Sequence, residues 1–215
     1  MLVKKITGVL FDLDGTLIDS AQDICNSANY VLSQRRKQLY LVDEIRPLIG
    51  LPAAEIFVRA GVSEQLDAAI FEFREHLGQT GGDPSTVYSG VHECLSNLQE
   101  MNLPLAIATN KPTELATTVL QRANLLNYFS HVQGAEQLPA KPEPEILIHC
   151  AKMINSKIES TWMVGDSPVD IRASKSAGCT SIGVVYHEEF LEVLSSEKPD
   201  ILVRSLSELK LSGSN

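Results

Sequence analysis

The stretch ITGVLFDLDGTLIDS, residues 6–20, decides how this chain is read. Ile6 to Phe11 is a short apolar run, the pattern of a strand covered on both faces. It ends in Asp12 and Asp14, two residues apart. In an extended chain that spacing puts both carboxylates on one side. Gly15 follows, and glycine takes the positive φ of a sharp bend at little cost. The bend sets the two acids at different depths. Carboxylates held close repel unless a cation lies between them or one keeps its proton. Both arrangements serve phosphate chemistry, in which one carboxylate attacks phosphorus and the other protonates the leaving oxygen.

Further along the chain, apolar runs at Leu103–Ala108, Thr161–Val164 and Thr180–Val185 read as strands, with shorter ones at His131–Gly134 and Asp200–Val203. Helical spacing fills the gaps: Val91, Leu95 and Leu98; Leu115, Val119 and Ala123; Leu147, Cys150, Ala151 and Ile154. Asp170 to Ala177 reads as a short helix closed by Gly178. Strands alternating with helices mean an α/β fold, a parallel sheet with helices on both faces. In such sheets the site lies at the carboxyl ends of the strands. One region breaks the alternation. Between Ser20 and about Val87 no strand is expected, and two helical faces are visible, Ile24, Ala28, Val31 and Leu32, then Leu66, Ala69, Ile70, Phe73 and Leu77. This is an all-helical insertion after the first strand, returning through Gly81–Ser85 and the turn at Ser89–Gly90. The expected division is a core of 1–15 and 88–215 and a cap of 16–87.

The polar residues gather where the sheet rule wants them. The second strand runs into Thr109, Asn110 and Lys111, where a hydroxyl and a backbone N–H can hold a phosphate oxygen. Lys141 lies in the proline-rich loop PAKPEP, and a lysine there is a point charge suited to a phosphoryl group. The third strand runs into Gly165, Asp166, Ser167, Pro168, Val169 and Asp170, and several carboxylates with room for water suit Mg²⁺. Singly, each has a plainer reading: an Asp–Gly turn, a helix-capping Thr109, a solvated Lys141, Asp170 as N-cap. Their joint placement after strands is what the plainer readings do not supply.

The order DxDGT, strand-end Thr, Lys, then GDxxxD resembles the haloacid dehalogenase-like hydrolase superfamily over nearly the whole chain. The helical insertion resembles the small caps of its phosphoglycolate phosphatase-like members. The resemblance implies a Rossmann-like core and a Mg²⁺-dependent phosphatase. Asp12 would be the nucleophile that forms an aspartyl-phosphate, as well as a metal ligand. Asp14 would be the general acid and base and would offer its backbone carbonyl to Mg²⁺. Thr109 and Asn110 would bind the transferring group, and Lys141 would steady it. Asp166 would ligate Mg²⁺ with support from Asp170. The segment Ile45–Gly50 resembles the cap loop that overlooks the site, which would bring Arg46 to the far end of the substrate, suited to a carboxylate.

The resemblance also separates the alternatives. The second acid, Asp14, argues against phosphonate-cleaving and dehalogenating members. Ile49 and Ala53 stand where the sugar phosphomutases carry a lysine and an arginine. The expected activity is hydrolysis of a small phosphate monoester, 2-phosphoglycolate among the candidates. A pyrophosphatase or nucleotidase is the alternative, and a non-catalytic phosphate-ester binding protein is the rival of another class.

The whole chain bounds these readings. It has 215 residues, 44% hydrophobic and 21% charged, with a net charge of −9. The longest basic run is Arg35-Arg36-Lys37, which argues against nucleic acid. No apolar run approaches the ~20 residues that cross a bilayer, and the first residues lack a signal-peptide pattern, so a cytoplasmic location is expected. The four cysteines form no CxxC pair and the five histidines no metal spacing. The expected partner is a small phosphorylated metabolite, and the expected state a monomer or homodimer.

Overall fold

Each apolar run becomes a strand where its neighbours can cover it. In the computed structural model, which describes residues 6–80, 83 and 85–209, β1 (Gly8–Phe11) is followed by β2 (Ile18–Asp19) and helices α1 (Ala21–Gln34), α2 (Val42–Ile45), α3 (Ala53–Arg59) and α4 (Leu66–Thr80). The chain continues through β3 (Thr86–Val87), α5 (Val91–Glu100), β4 (Leu105–Ala108), α6 (Thr113–Arg122), β5 (His131–Gln133), α7 (Glu145–Met153), β6 (Thr161–Gly165), α8 (Pro168–Ala177), β7 (Thr180–Val184), α9 (Leu191–Ser196) and β8 (Ile201–Val203). Gly81, Gly82 and Pro84 of the expected return loop lie outside the described residues, as do residues 1–5 and 210–215.

Six strands form one parallel sheet in the order β5-β4-β1-β6-β7-β8. β1 is central, and all four of its residues are buried. Alternation divides them between the faces. Val9 and Phe11 join Ile107 and Val164 against α5 and α6, while Leu10 joins Ala106 and Met163 against α7. This Rossmann-like layering explains why the strands read as unbroken apolar runs rather than alternating ones. The structure differs from the expected first strand by starting at Gly8 rather than Ile6.

α8 starts two residues before its expected Asp170. Ser167 caps it, Pro168 takes the first position, and Asp170, one turn in, accepts hydrogen bonds from the Ser167 N–H and hydroxyl. Gly178 closes it at φ 76°. Asp170 is therefore the acid of a capping box, not the N-cap itself.

Helices α1–α4 enclose their own apolar cluster, including Val31, Leu32, Ile45, Phe57, Phe73 and Leu77. Phe57 and Phe73 meet edge-to-face, and Arg35 pairs bidentately with Glu72 at 2.8 and 2.9 Å. Where the helical segment leaves and rejoins the sheet, β2 and β3 pair antiparallel, Ile18 opposite Val87 and Asp19 opposite Thr86. β3 lies inside the stretch expected to have no strand, and β2 just before it. Two residues each are too few to show a period of two.

Candidate active site

β4, β1 and β6 lie side by side, so their carboxyl ends bring Thr109, Asp12 and Asp166 to one edge. Asp12, Asp166 and Asp170 each offer an oxygen within 4.8 Å of the others. Lys141 reaches into this group and is completely buried. Its Nζ donates to Asp12 Oδ1 at 2.8 Å, Asp170 Oδ1 at 2.6 Å and the Ala108 carbonyl at 2.8 Å. Those three bonds use every proton of an ammonium. Burial alone would lower the Lys141 pKa, but the two carboxylates push it above its ordinary value and hold the charge.

One ammonium does not balance three carboxylates. Burial outweighs the pull of Lys141 and raises the Asp12 pKa from 3.8 to about 6, with Asp170 adding to the rise. Burial, then Asp170 and Asp12, push Asp166 well above the ordinary range, opposed by the Thr16 hydroxyl, which donates to Asp166 Oδ1 at 2.7 Å. Asp12 Oδ2 is buried and accepts no hydrogen bond among the described residues. An excess of buried carboxylate charge, hard oxygen donors and an orphaned oxygen fit a bound divalent cation. Gly15 is required beside them. Its φ is 87°, and a Cβ there would lie 2.2 Å from Asp166 Oδ2.

Asp14 stands outside this trio. Lys111 Nζ donates to both its oxygens, at 2.7 and 2.9 Å, and both side chains are nearly buried. Its carboxylate is thus held by a lysine, leaving the backbone carbonyl as what it could offer a metal. From the sequence, Lys111 is no more than part of the β4 tip. Its signal is a cation two residues beyond Thr109, but only the folded loops show that it reaches Asp14.

Thr109 and Asn110 lie at the expected edge with donors partly committed. The Thr109 N–H donates to the Gln133 carbonyl at 3.1 Å, and its hydroxyl accepts from the Lys111 N–H at 3.2 Å. The Asn110 amide donates to the carbonyls of Gly50 and Lys141 at 2.8 and 3.1 Å, and its oxygen accepts from the Lys141 N–H at 2.8 Å. The Asn110 side chain is a clamp between three loops. Its amide is committed in these bonds, which leaves the backbone N–H as what Asn110 could offer a phosphoryl group.

Arg46 departs furthest from expectation. Its guanidinium grips Asp19 at 3.0 Å through both nitrogens and lies 3.2 Å from His187 Nε2. Burial works to raise the Asp19 pKa, but the bonds from Arg46 bring it below its ordinary value. Arg46 lines a small space beside Asp166 and Tyr88, not the main cavity. The expected cap loop does reach that cavity, through Ile49 and Gly50 rather than Arg46. The cavity, about 260 Å³, begins at Asp12, Asp14, Thr109, Asn110 and Lys111 and extends beneath the helical segment. Arg74 of α4 lines it, a residue with no motif to single it out.

The family model described as haloacid dehalogenase-like hydrolase matches residues 9–184. The chain belongs to that family. The strand tips that carry Asp12, Thr109 and Asp166 all fall within the matched residues of this hydrolase. The phosphoglycolate phosphatase of Chromobacterium violaceum is 34% identical to it, over 97% of each chain. A Caldanaerobacter subterraneus relative provisionally named pyrophosphatase PpaX is 32% identical, over 95% of this chain and 93% of its own. A crystal structure of a predicted phosphoglycolate phosphatase from Haemophilus somnus superposes with a TM-score of 0.87 at 26% identity, covering 96% of this chain and 97% of that one. These relatives agree with the phosphoglycolate phosphatase-like subgroup that the sequence resembles. Among the described residues no helix is long and apolar enough to cross a membrane.

Proposed function

We propose that this phosphatase hydrolyses a small phosphorylated metabolite in the cytoplasm through a covalent phosphoryl group on Asp12. The observation that carries the reading is the convergence on Asp12. One of its oxygens is pinned by Lys141, the other has no hydrogen-bond partner among the described residues, and the cavity opens beside it. Phosphoryl transfer asks mainly for positioning and charge stabilisation, and this edge of the sheet supplies both.

Asp12, Asp166 and Asp170, with the Asp14 backbone carbonyl, would hold Mg²⁺. When bound, the ion supplies positive charge to the phosphoryl oxygens. The chain's own residues do the rest. Lys141 keeps Asp12 oriented and ionised. Asp12 attacks phosphorus as the ester P–O bond breaks, and the leaving oxygen takes a proton from Asp14. A water that gives its proton to Asp14 then attacks the same phosphorus, freeing Asp12 and inorganic phosphate. Lys111 pairs with Asp14 in the resting site. An arriving phosphate draws that ammonium toward itself, and Asp14, freed of it, takes up from solvent the proton that it passes to the leaving oxygen. The backbone at Thr109 and Asn110 borders the transferring group.

Residues 16–87 act as a cap over a core of 1–15 and 88–215, closing to exclude water in the first step and opening for the second. The separate apolar cluster of the helices and the narrow β2–β3 ribbon support that division. The test is phosphate release from 2-phosphoglycolate, sugar phosphates, nucleotides and pyrophosphate, with and without Mg²⁺. Wild-type protein is expected to release phosphate from at least one monoester only with Mg²⁺, and Asp12→Asn to release none. Turnover of pyrophosphate alone would move the reading to the alternative that one relative's name carries.

A further inference from the structure

The face of α4 that lines the cavity above Asp12 carries Ile70, Phe73, Arg74 and Leu77. Spacings of three and four put these side chains on one side of the helix. Three are apolar, as a face turned inward should be, and Phe73 and Leu77 are buried. Arg74 breaks the pattern, and it is exposed. Its own helix gives it no counter-charge. The positions three and four residues away hold Ile70, Phe71, Leu77 and Gly78, none of them an acid. Elsewhere in the helical segment Arg35, Arg46 and Arg59 are each paired with a carboxylate, Glu72, Asp19 and Glu55. Among the described residues no ion pair or hydrogen bond holds Arg74, and its charge acts at longer range on Glu136 of the core.

The other cations near Asp12 are already engaged. Lys141 gives all three protons to Asp12, Asp170 and the Ala108 carbonyl, and Lys111 holds Asp14 until phosphate draws it away. Arg46, the residue expected to meet a carboxylate, is held by Asp19 outside this cavity. In a chain of net charge −9 an anion needs a local cation to receive it. A guanidinium offers a carboxylate two parallel hydrogen bonds. We propose that Arg74 is the specificity-determining residue of this site, and that it receives a carboxylate carried at the end of the substrate away from the phosphate. This rests on the phosphatase reading of the same site. The phosphate takes the Asp12 end, and a short carbon body passes Ile70 and Leu115 to bring the carboxylate to Arg74.

The test reads one ratio at saturating Mg²⁺: kcat/KM for 2-phosphoglycolate over kcat/KM for ethyl phosphate, in which a methyl group replaces the carboxylate. Both esters meet the same protein. Loss of folded enzyme and the difference in leaving group therefore cancel when the ratio is compared between variants. Hydrogen bonds to a charged group are worth about 10-fold or more. Arg74→Gln should lower the ratio by ~10-fold or more, mostly through a higher KM for 2-phosphoglycolate. Arg74→Lys keeps the charge without the planar fork and should fall between wild type and the glutamine variant. Arg46→Gln should leave the ratio as in wild type. A ratio unchanged in Arg74→Gln, a lysine variant no better than the glutamine one, or a loss that appears in Arg46→Gln instead overturns the inference and leaves the phosphatase reading standing. Calorimetry with 3-phosphonopropionate and propylphosphonate, which cannot be hydrolysed, separates the two. Tighter binding of the phosphonate that carries the carboxylate, lost in Arg74→Gln, without hydrolysis of any ester means that the phosphatase reading fails and the Arg74 site stands. Equal binding of both phosphonates to wild type overturns the Arg74 site.

Discussion

Lys141 spends all three of its protons on groups that would otherwise be buried without partners. Removing one member of a buried ion pair typically costs ~3–5 kcal/mol, because the remaining charge stays uncompensated. Lys141→Met should lower the unfolding free energy by that order in denaturant melts and abolish turnover. A stable, active variant would show that the ammonium is dispensable. Asp12 gives a pH signature. Its pKa is 3.8 unfolded and about 6 folded, so between those values the folded chain binds the extra proton. The fold therefore loses stability from this group as pH rises from about 4 to 6, on the order of 3 kcal/mol in total. In chelator, Asp12→Asn should gain on wild type over that range, and a difference that does not vary with pH would refute the shift. At this scale much of the site was legible. Asp12, Asp14 and Asp166 stand at strand tips, Lys141 in a loop and Asp170 in the first turn of α8, places that local sequence shows. The Lys111–Asp14 pair and the Arg46–Asp19 pair were not, since each joins segments whose meeting depends on how loops fold together.

The elements explain why the loops are held as they are. Asn110, just past β4, ties the Gly50 carbonyl of the helical segment to the loop carrying Lys141. Losing these bonds should cost ~1–3 kcal/mol at about 1 kcal/mol each. Asn110→Ala keeps the backbone N–H, so steady-state kinetics should show a larger rise in KM than loss of turnover rate. Turnover slowed by two orders of magnitude or more, with KM unchanged, would mean that the amide itself touches the transferring group. The helices and main strands were readable because their apolar spacing spans several residues. β2 and β3 were not, because two residues carry no period and their pairing joins positions 18–19 to 86–87. The start of α8 was not legible because Asp170 is itself a plausible cap, while the capping box uses Ser167 and Pro168.

At the scale of the whole molecule, a parallel sheet gathers acids from its strand tips, and a helical segment covers them with carbon. The parallel sheet followed from the alternation of elements, whereas the order of its strands and the depth and lining of the cavity depend on how the elements settle together. The acid cluster ties metal, pH and stability together. Bound Mg²⁺ requires ionised carboxylates, so the rise in melting temperature that Mg²⁺ produces should be larger at pH 8 than at pH 5. An equal rise at both would argue against the Asp12, Asp166 and Asp170 site. The central claim is that phosphate passes through Asp12. The direct measurement is acid quenching of the enzyme during turnover of its best monoester, followed by mass spectrometry of the peptide spanning residues 6–20. The added mass of one phosphoryl group on Asp12 in wild type, absent in Asp12→Asn, is the predicted result; steady turnover with no phosphoryl group on that peptide, or with turnover retained in Asp12→Asn, would contradict it.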